Sequence, residues 1–259
     1  MINTLVRLAS FCLISSLASA ASITICNTGL GSANASSCGA AVNSPAANNL
    51  LPDGNWYAAA NSSGTFLSQA FVTVNNSAPV QNAGPWLANN TNDSNGVGAG
   101  SYWITPSSNQ AANFANGNFF YSTTFNLTGF NLANVILSGF WLADDYGGGI
   151  FLNGVAVGQA SQPAFGSEGG PMVGFTITQG NPNLGQAVFN NGINTLTFGV
   201  VNDSTNHGLI AGGSTPTGLR VVFTTANDLG SGVPEPASLI LAAPCLAILA
   251  WTRRRQASR

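Results

Sequence analysis

The chain contains no lysine and very few charged residues of either sign. Only 5% of its 259 residues are charged, and the formal net charge is −2. Between the two ends of the chain, Arg220 is the only basic residue apart from His207. Nucleic-acid binding depends on lysines and arginines that neutralise phosphates, so this composition argues against a nucleic-acid partner. It argues equally against binding to an anionic membrane surface.

Side chains with catalytic chemistry are also scarce. His207 is the only histidine and the Gly-x-Ser-x-Gly motif is absent. The sequence therefore offers little support for a catalytic nucleophile that a general base activates. Glycoside hydrolysis needs two carboxyl groups that flank one bond. Asp144 and Asp145 are adjacent, and neighbouring side chains on a strand point to opposite faces. We therefore expect a protein that is not an enzyme, with a glycan-active hydrolase as the third-ranked alternative.

The N-terminus has the three parts of a secretory signal peptide. Arg7 provides a positive charge, residues 8–17 form a short apolar region, and residues 18–20 are small. We expect cleavage after Ala20. Residues 1–20 are accordingly interpreted as a signal peptide that is removed on export.

The C-terminal residues 231–259 contain a Pro-Glu-Pro tripeptide, a short apolar run and a cluster of arginines. The tripeptide is Pro234, Glu235 and Pro236, the apolar run is residues 238–251, and the basic cluster is Arg253, Arg254 and Arg255. This order resembles the PEP-CTERM sorting signal of Gram-negative bacteria. The resemblance implies export, transient anchoring in the inner membrane, and processing by an exosortase-type enzyme. The final location would be the cell surface or the extracellular polymer matrix.

The length of the apolar run agrees with a temporary anchor. Its 14 residues would span roughly 21 Å as a helix, which is short of the ~30 Å hydrocarbon core of a bilayer. The arginines after it should stay on the cytoplasmic side, and everything before Pro234 should lie outside.

The four cysteines divide into two groups. Cys12 and Cys245 lie in the apolar end segments, which leaves Cys26 and Cys38 in the exported part. An even pair in an exported chain predicts a disulfide. A metal site is not expected from these cysteines because only one histidine could assist them.

Residues 21–230 show the pattern of an all-β protein. Apolar and polar residues alternate over residues 119–127, and residues 135–143 are apolar on both faces, as in a central strand. Asn153-Gly154 stands between two apolar triplets and predicts a tight hairpin. Further strands are predicted at residues 22–26, 68–74, 101–105, 195–200 and 219–223. The chain is therefore expected to form one domain, a single antiparallel β-sandwich between the two end segments.

The segment from Phe119 to Phe223 resembles the galactose-binding-like jelly roll. It contains a strand ending in Trp-x-x-Asp-Asp, a Leu-Asn-Gly hairpin, and the sequence Gly-x-Asn-x-Leu-x-Phe before a closing strand. The resemblance implies a sandwich of jelly-roll type, and domains of this kind often carry a structural calcium ion.

Asp144 and Asp145 therefore have three interpretations. They could cap a turn, pair with Arg220, or bind Ca²⁺ together with carbonyl groups from the flexible Gly147-Gly148-Gly149 that follows. The spacing of a dedicated calcium loop is absent. Apart from this calcium, no cofactor is expected.

Several aromatic residues are candidates for a sugar-stacking surface or for the core. They are Trp56, Tyr57, Trp86, Tyr102 and Trp103. Trp86 follows Gly84-Pro85 in a long loop, which makes it the best candidate for an exposed ligand-binding residue. The predicted function is an exported, non-catalytic protein of the cell surface or extracellular matrix. The alternative is a carbohydrate-binding module for neutral exopolysaccharide.

Overall fold

The structure is a computed structural model that describes residues 23–30, 38–42, 44, 46, 49–74, 100–157, 171–179, 188–203 and 215–228. All of these belong to a unit that spans Ser22–Asp228; a second unit, Met1–Ala21 with Leu229–Arg259, lies outside the described residues. The predicted signal peptide, the sorting motif and Trp86 therefore also lie outside them. Within the described ranges, no helix is long and apolar enough to cross a membrane.

Ten strands and one short 3₁₀ turn, Leu132–Asn134, make up the regular structure of these residues. The strands are β1 Leu51–Ala59, β2 Phe66–Val72, β3 Ile104–Thr105, β4 Gly117–Asn126, β5 Val135–Asp144, β6 Tyr146–Leu152, β7 Val155–Val157, β8 Val173–Thr178, β9 Ile193–Asn202 and β10 Gly218–Asp228. They form one sheet in the order β7-β6-β9-β4-β1-β2-β3-β10-β5-β8. Every strand pair is antiparallel.

The sheet folds over on itself and encloses the core. Strands β5 and β9 are far apart in the sheet order, yet the rings of Trp141 and Phe198 on these strands lie 5.2 Å apart. Phe175 on β8 also packs edge-on against Phe198, at 5.5 Å. The two halves of the sheet therefore face each other, and the predicted all-β, sandwich-like architecture is confirmed.

The strongest sequence signals correspond to strands. The alternating residues 119–127 fall in β4, and residues 135–143 form the largely buried β5 between β10 and β8. Asn153 and Gly154 turn the chain between β6 and β7 with φ angles of 51° and 84°. The hairpin prediction is confirmed, because both turn residues take the positive φ that the Asn-Gly pair favours.

The predicted N-terminal strand is only partly regular. Residues 23–27 are not assigned to a strand, although they run antiparallel beside β10. The Ile23 N–H donates to the Ala226 carbonyl and the Thr28 N–H to the Val221 carbonyl, each at 3.1 Å. Between these bonds, the Phe223 N–H donates to the side-chain oxygen of Asn27 at 2.8 Å. A side chain thus takes the place of a backbone partner, which interrupts the ladder.

A disulfide holds this N-terminal segment. Cys26 and Cys38 are bonded, with their Cα atoms 5.2 Å apart, as the sequence predicted. The indole N–H of Trp56 on β1 donates to the Cys26 carbonyl at 2.9 Å. The disulfide-linked segment is therefore joined to the sandwich through β1 as well as β10.

Candidate functional site

The two adjacent aspartates lie at a buried corner between β5 and β6. Asp144 and Asp145 are 3% and 5% exposed. The Thr217 hydroxyl donates to the Asp144 carbonyl at 3.0 Å, and the Asp203 N–H donates to Asp145 Oδ2 at 2.5 Å. The corner thus joins the end of β5 to the ends of β9 and β10.

On a continuing strand the two carboxyl groups would point to opposite faces, but β5 does not continue through Asp145. Strand β5 ends at Asp144, the Asp144–Asp145 peptide bond is cis, and the two side chains are hydrogen-bonded to each other. The expected flexible glycine loop was wrong. Gly147 and Gly149 pair with Val200 and Gly199 of β9, so the three glycines are part of β6 and contain a bulge.

The pKa of the Asp144 carboxyl group depends mainly on its burial. Burial raises this pKa well above its usual range, and the charge and the hydrogen bond of Asp145 raise it further. No described residue forms a hydrogen bond with Asp144 Oδ2, which also favours a neutral carboxyl group at this position. The neutral form of the Asp144 carboxyl group is therefore favoured over the charged form.

This arrangement favours the capping interpretation of the sequence. Asp145 accepts the backbone N–H of Asp203, as a capping carboxylate does. Among the described residues, no group of three or more His, Cys, Asp or Glu side chains converges as a metal site would. Calcium binding and pairing with Arg220 both stay predictions.

Asp53 is a second buried carboxyl group, which the sequence analysis did not single out. Its Oδ1 accepts the N–H groups of Asn55 and Trp56 at 2.8 and 3.1 Å, and its Oδ2 accepts the N–H of Gly29 at 2.6 Å. Burial nevertheless raises the pKa of Asp53 to about 7. Asp followed by Gly-Asn is a common turn signal and could have indicated this role. The carboxyl group fastens the N-terminal segment to β1.

Comparison with known proteins gives no further assignment. No protein-family model matches the chain, and no curated protein or solved structure matches it significantly. Because a fold can host many functions, the function must be argued from the residues at each site.

Three of the five candidate aromatic residues pack inside the protein. Trp56 is 1% exposed and lies in the main core against Phe198, with ring centroids 5.8 Å apart. Trp103, also 1% exposed, belongs to a smaller cluster with Leu142. Tyr102 is half-buried and packs against the main core. These residues are structural, as expected for aromatic side chains that can be buried.

A different group of aromatic side chains lies on the outer surface of the sheet. We call Tyr57, Phe66, Phe120 and Phe151 the aromatic face; none of them belongs to either core cluster. The rings of Tyr57 and Phe66 are 5.6 Å apart, and those of Phe120 and Phe151 are 6.1 Å apart. Only Tyr57 was among the sequence candidates. Detecting the others required the register of four strands, which the sequence does not provide.

The β1–β2 turn borders the aromatic face. The Tyr57 hydroxyl donates to the Gly64 carbonyl at 2.8 Å. Gly64 lies over Ser122 and Thr197, whose hydroxyl groups are hydrogen-bonded at 2.7 Å. The turn therefore lies over the buried hydroxyl groups of Ser122 and Thr197, next to the aromatic face.

A shallow groove of about 280 Å³ lies elsewhere, between the N-terminal segment and β10. It occurs where the ladder between these elements is interrupted. Its lining includes Ile23, Ile25, Asn27 and Phe223, and the disulfide-bonded Cys38 contributes the only sulfur. The lining residues contain no carboxylate, imidazole or amine, so the groove offers no acid–base chemistry.

Proposed function

We propose that this chain is an exported, non-catalytic protein of the cell surface or extracellular polymer matrix, with a sandwich of jelly-roll type. The residues that support export are the signal-like residues 1–20 and the PEP-CTERM-like residues 231–259. The structural observation that carries the proposal is the Cys26–Cys38 disulfide, because disulfides form and persist in oxidising compartments outside the cytoplasm.

The use of the carboxyl groups supports a non-catalytic role. Asp53 and Asp145 accept backbone N–H groups and join separate segments of the chain. Asp144 is hydrogen-bonded to Asp145 inside the corner. These are structural interactions, and each of the three carboxyl groups is almost inaccessible to a substrate.

Processing of the two ends tests the proposed sorting. In a host that has an exosortase, the exported protein should begin after Ala20 and lose the residues after about Pro234. Intact-mass measurement of the purified protein gives both boundaries. A mature species that retains Arg253, Arg254 and Arg255 would refute exosortase processing, and retention of the whole protein in the cytoplasm would refute export.

A second candidate function is carbohydrate binding, which the aromatic face supports. Sugar rings stack on aromatic side chains, and an exposed group of such rings outside the core is the surface that stacking requires. We propose neutral exopolysaccharide as the ligand class because the chain is slightly acidic and nearly without cations. A glycan array probed with the exported protein tests this function, and the absence of binding to every neutral glycan would refute it.

A further inference from the structure

We propose that the aromatic face binds a neutral polysaccharide chain that crosses the strands and stacks on Phe66 and Phe120. This inference rests on the carbohydrate-binding function proposed above and assigns its site. It differs from the loop site around Trp86 that the sequence suggested, because it lies on the outer surface of β1, β2, β4, β6 and β9.

The exposure of the face is the first observation that supports a ligand. Phe66 is 63% exposed. Phe120 and Phe151 are half-buried although they contribute to neither core cluster. Several large apolar side chains thus lie together on one surface, and such a contiguous patch commonly marks an interaction site.

The register of the strands determines how the rings are spaced. Phe66 pairs with Ala59, and Ala59 pairs with Phe120, so all three side chains lie on one row and one face of the sheet. Two inter-strand spacings separate Phe66 from Phe120, which is roughly 10 Å. Ala59, between them, is small and buried. The two rings therefore stand on either side of Ala59, along a line that crosses the strands.

A glycine supports the far end of the face. Gly199 on β9 pairs with Phe120 and Gly149. A Cβ atom at Gly199 would lie 3.4 Å from the Phe151 ring and 3.5 Å from the Phe120 ring. Both rings thus lie close against the backbone of β9, where a larger side chain would lift them. Because Gly199 has no side chain, this part of the surface does not protrude, as is typical where another molecule approaches a strand.

The chemistry around the rings favours a neutral sugar over other partners. Strands β2, β4, β6 and β9 contain no charged residue. Thr65, next to Phe66, and Asn118, two residues before Phe120 on β4, are exposed and offer hydroxyl and amide groups. Sugar hydroxyl groups match these donors and acceptors, whereas an anionic polymer would find no cation. The face thus combines stacking surfaces with neutral hydrogen-bonding groups, the combination that a neutral polysaccharide requires.

Binding of soluble neutral glucan, mannan and galactan to the exported protein tests the site. Isothermal titration should show binding to at least one of them that does not change with ionic strength. Phe66→Ala and Phe120→Ala should each weaken this binding about fivefold, since each removes one stacking ring. Phe66→Trp should retain it. Ile193→Ala is the matched control, because Ile193 is 64% exposed and lies near the opposite end of β9.

The outcomes separate the site from the function. If the wild-type protein binds a neutral glycan and both alanine variants bind it equally well, the function stands and this site is wrong. If no neutral glycan binds, both are wrong. Binding of anionic alginate that weakens with salt would overturn the neutral ligand class. A dimer that Phe66→Ala dissociates, without glycan binding, would identify the face as a contact between copies. A thermal melt of each variant shows whether it is folded, and a leucine variant at the same position, Phe66→Leu or Phe120→Leu, replaces an alanine variant that is not.

Discussion

Replacing Asp53 with asparagine should remove a pH dependence from the stability of this protein. In the folded state the carboxyl group is fully buried and accepts three backbone N–H groups. Burial disfavours the charged form more strongly than these hydrogen bonds favour it, so the pKa rises to about 7. Asparagine can keep the bonds from Asn55 and Trp56 through its oxygen, but its amide group would face the Gly29 N–H.

The sign and size of the effect follow from linkage. A carboxyl group whose pKa is raised in the folded state binds its proton more tightly there than in the unfolded chain. Its contribution to stability is therefore complete below the ordinary pKa of 3.8 and is lost as the pH rises to about 7. The difference between these pKa values corresponds to about 4 kcal/mol. Above pH 7 the contribution should no longer change.

Urea denaturation at intervals between pH 4 and pH 8 measures this difference. The free energy of unfolding of the wild-type protein, minus that of Asp53→Asn, should fall by about 4 kcal/mol across this range. Taking the difference cancels the titration of groups that both proteins share, such as Asp144. Gln69→Ala is a suitable control because it removes an uncharged donor to the Asp53 carbonyl, so its effect should not depend on pH. A difference that rises with pH between 3 and 5 would show that the three N–H groups outweigh burial and would refute the reasoning.

Three further changes test other parts of the structure. Reducing the Cys26–Cys38 disulfide, which closes a separation of 12 residues, should lower the free energy of unfolding by about 3 kcal/mol. Thiol labelling of the unfolded, unreduced mature protein should find no free cysteine. Two labelled cysteines would contradict the bond. Trp56→Ala should cost about 3–5 kcal/mol in a chemical melt because the ring is buried, and a loss below 1 kcal/mol would contradict its place in the core. Gly154→Ala should lower the melting temperature, because Gly154 has φ 84° and a Cβ would lie 2.7 Å from Ser63 Oγ; an unchanged melting temperature would argue against this contact.

The sequence predicted those parts of the fold that depend on local patterns. Alternation indicated β4, β9 and β10, continuous apolar character indicated β5, and Asn153-Gly154 indicated the β6–β7 hairpin. The disulfide could also be predicted, since only two cysteines lie between the apolar ends. Each of these signals acts within a few residues or needs no knowledge of which strands pair.

The candidate site could not be predicted because it depends on pairing between distant strands. Phe120 occupies the polar side of an alternating strand, and only the pairing of β4 with β1 and β9 places it beside Phe66 and Phe151. The acidic corner was misinterpreted for a related reason. Strand alternation places Asp144 and Asp145 on opposite faces, but the strand ends at Asp144 and the two side chains are hydrogen-bonded to each other.

The distribution of charge links the fold to the proposed role. Among the charged residues whose burial the structure describes, Asp53, Asp144, Asp145 and Arg220 are buried, and only Asp203 is partly exposed. Most of the charged residues whose burial is described therefore lie inside the protein, where Asp53 and Asp145 join separate segments of the chain. The described surface is left with hydroxyl groups, amides and a group of aromatic rings. Interactions of such a surface depend on stacking and neutral hydrogen bonds, which salt screens very little. A protein that must remain associated with polysaccharide while the ionic strength outside the cell varies would benefit from this arrangement.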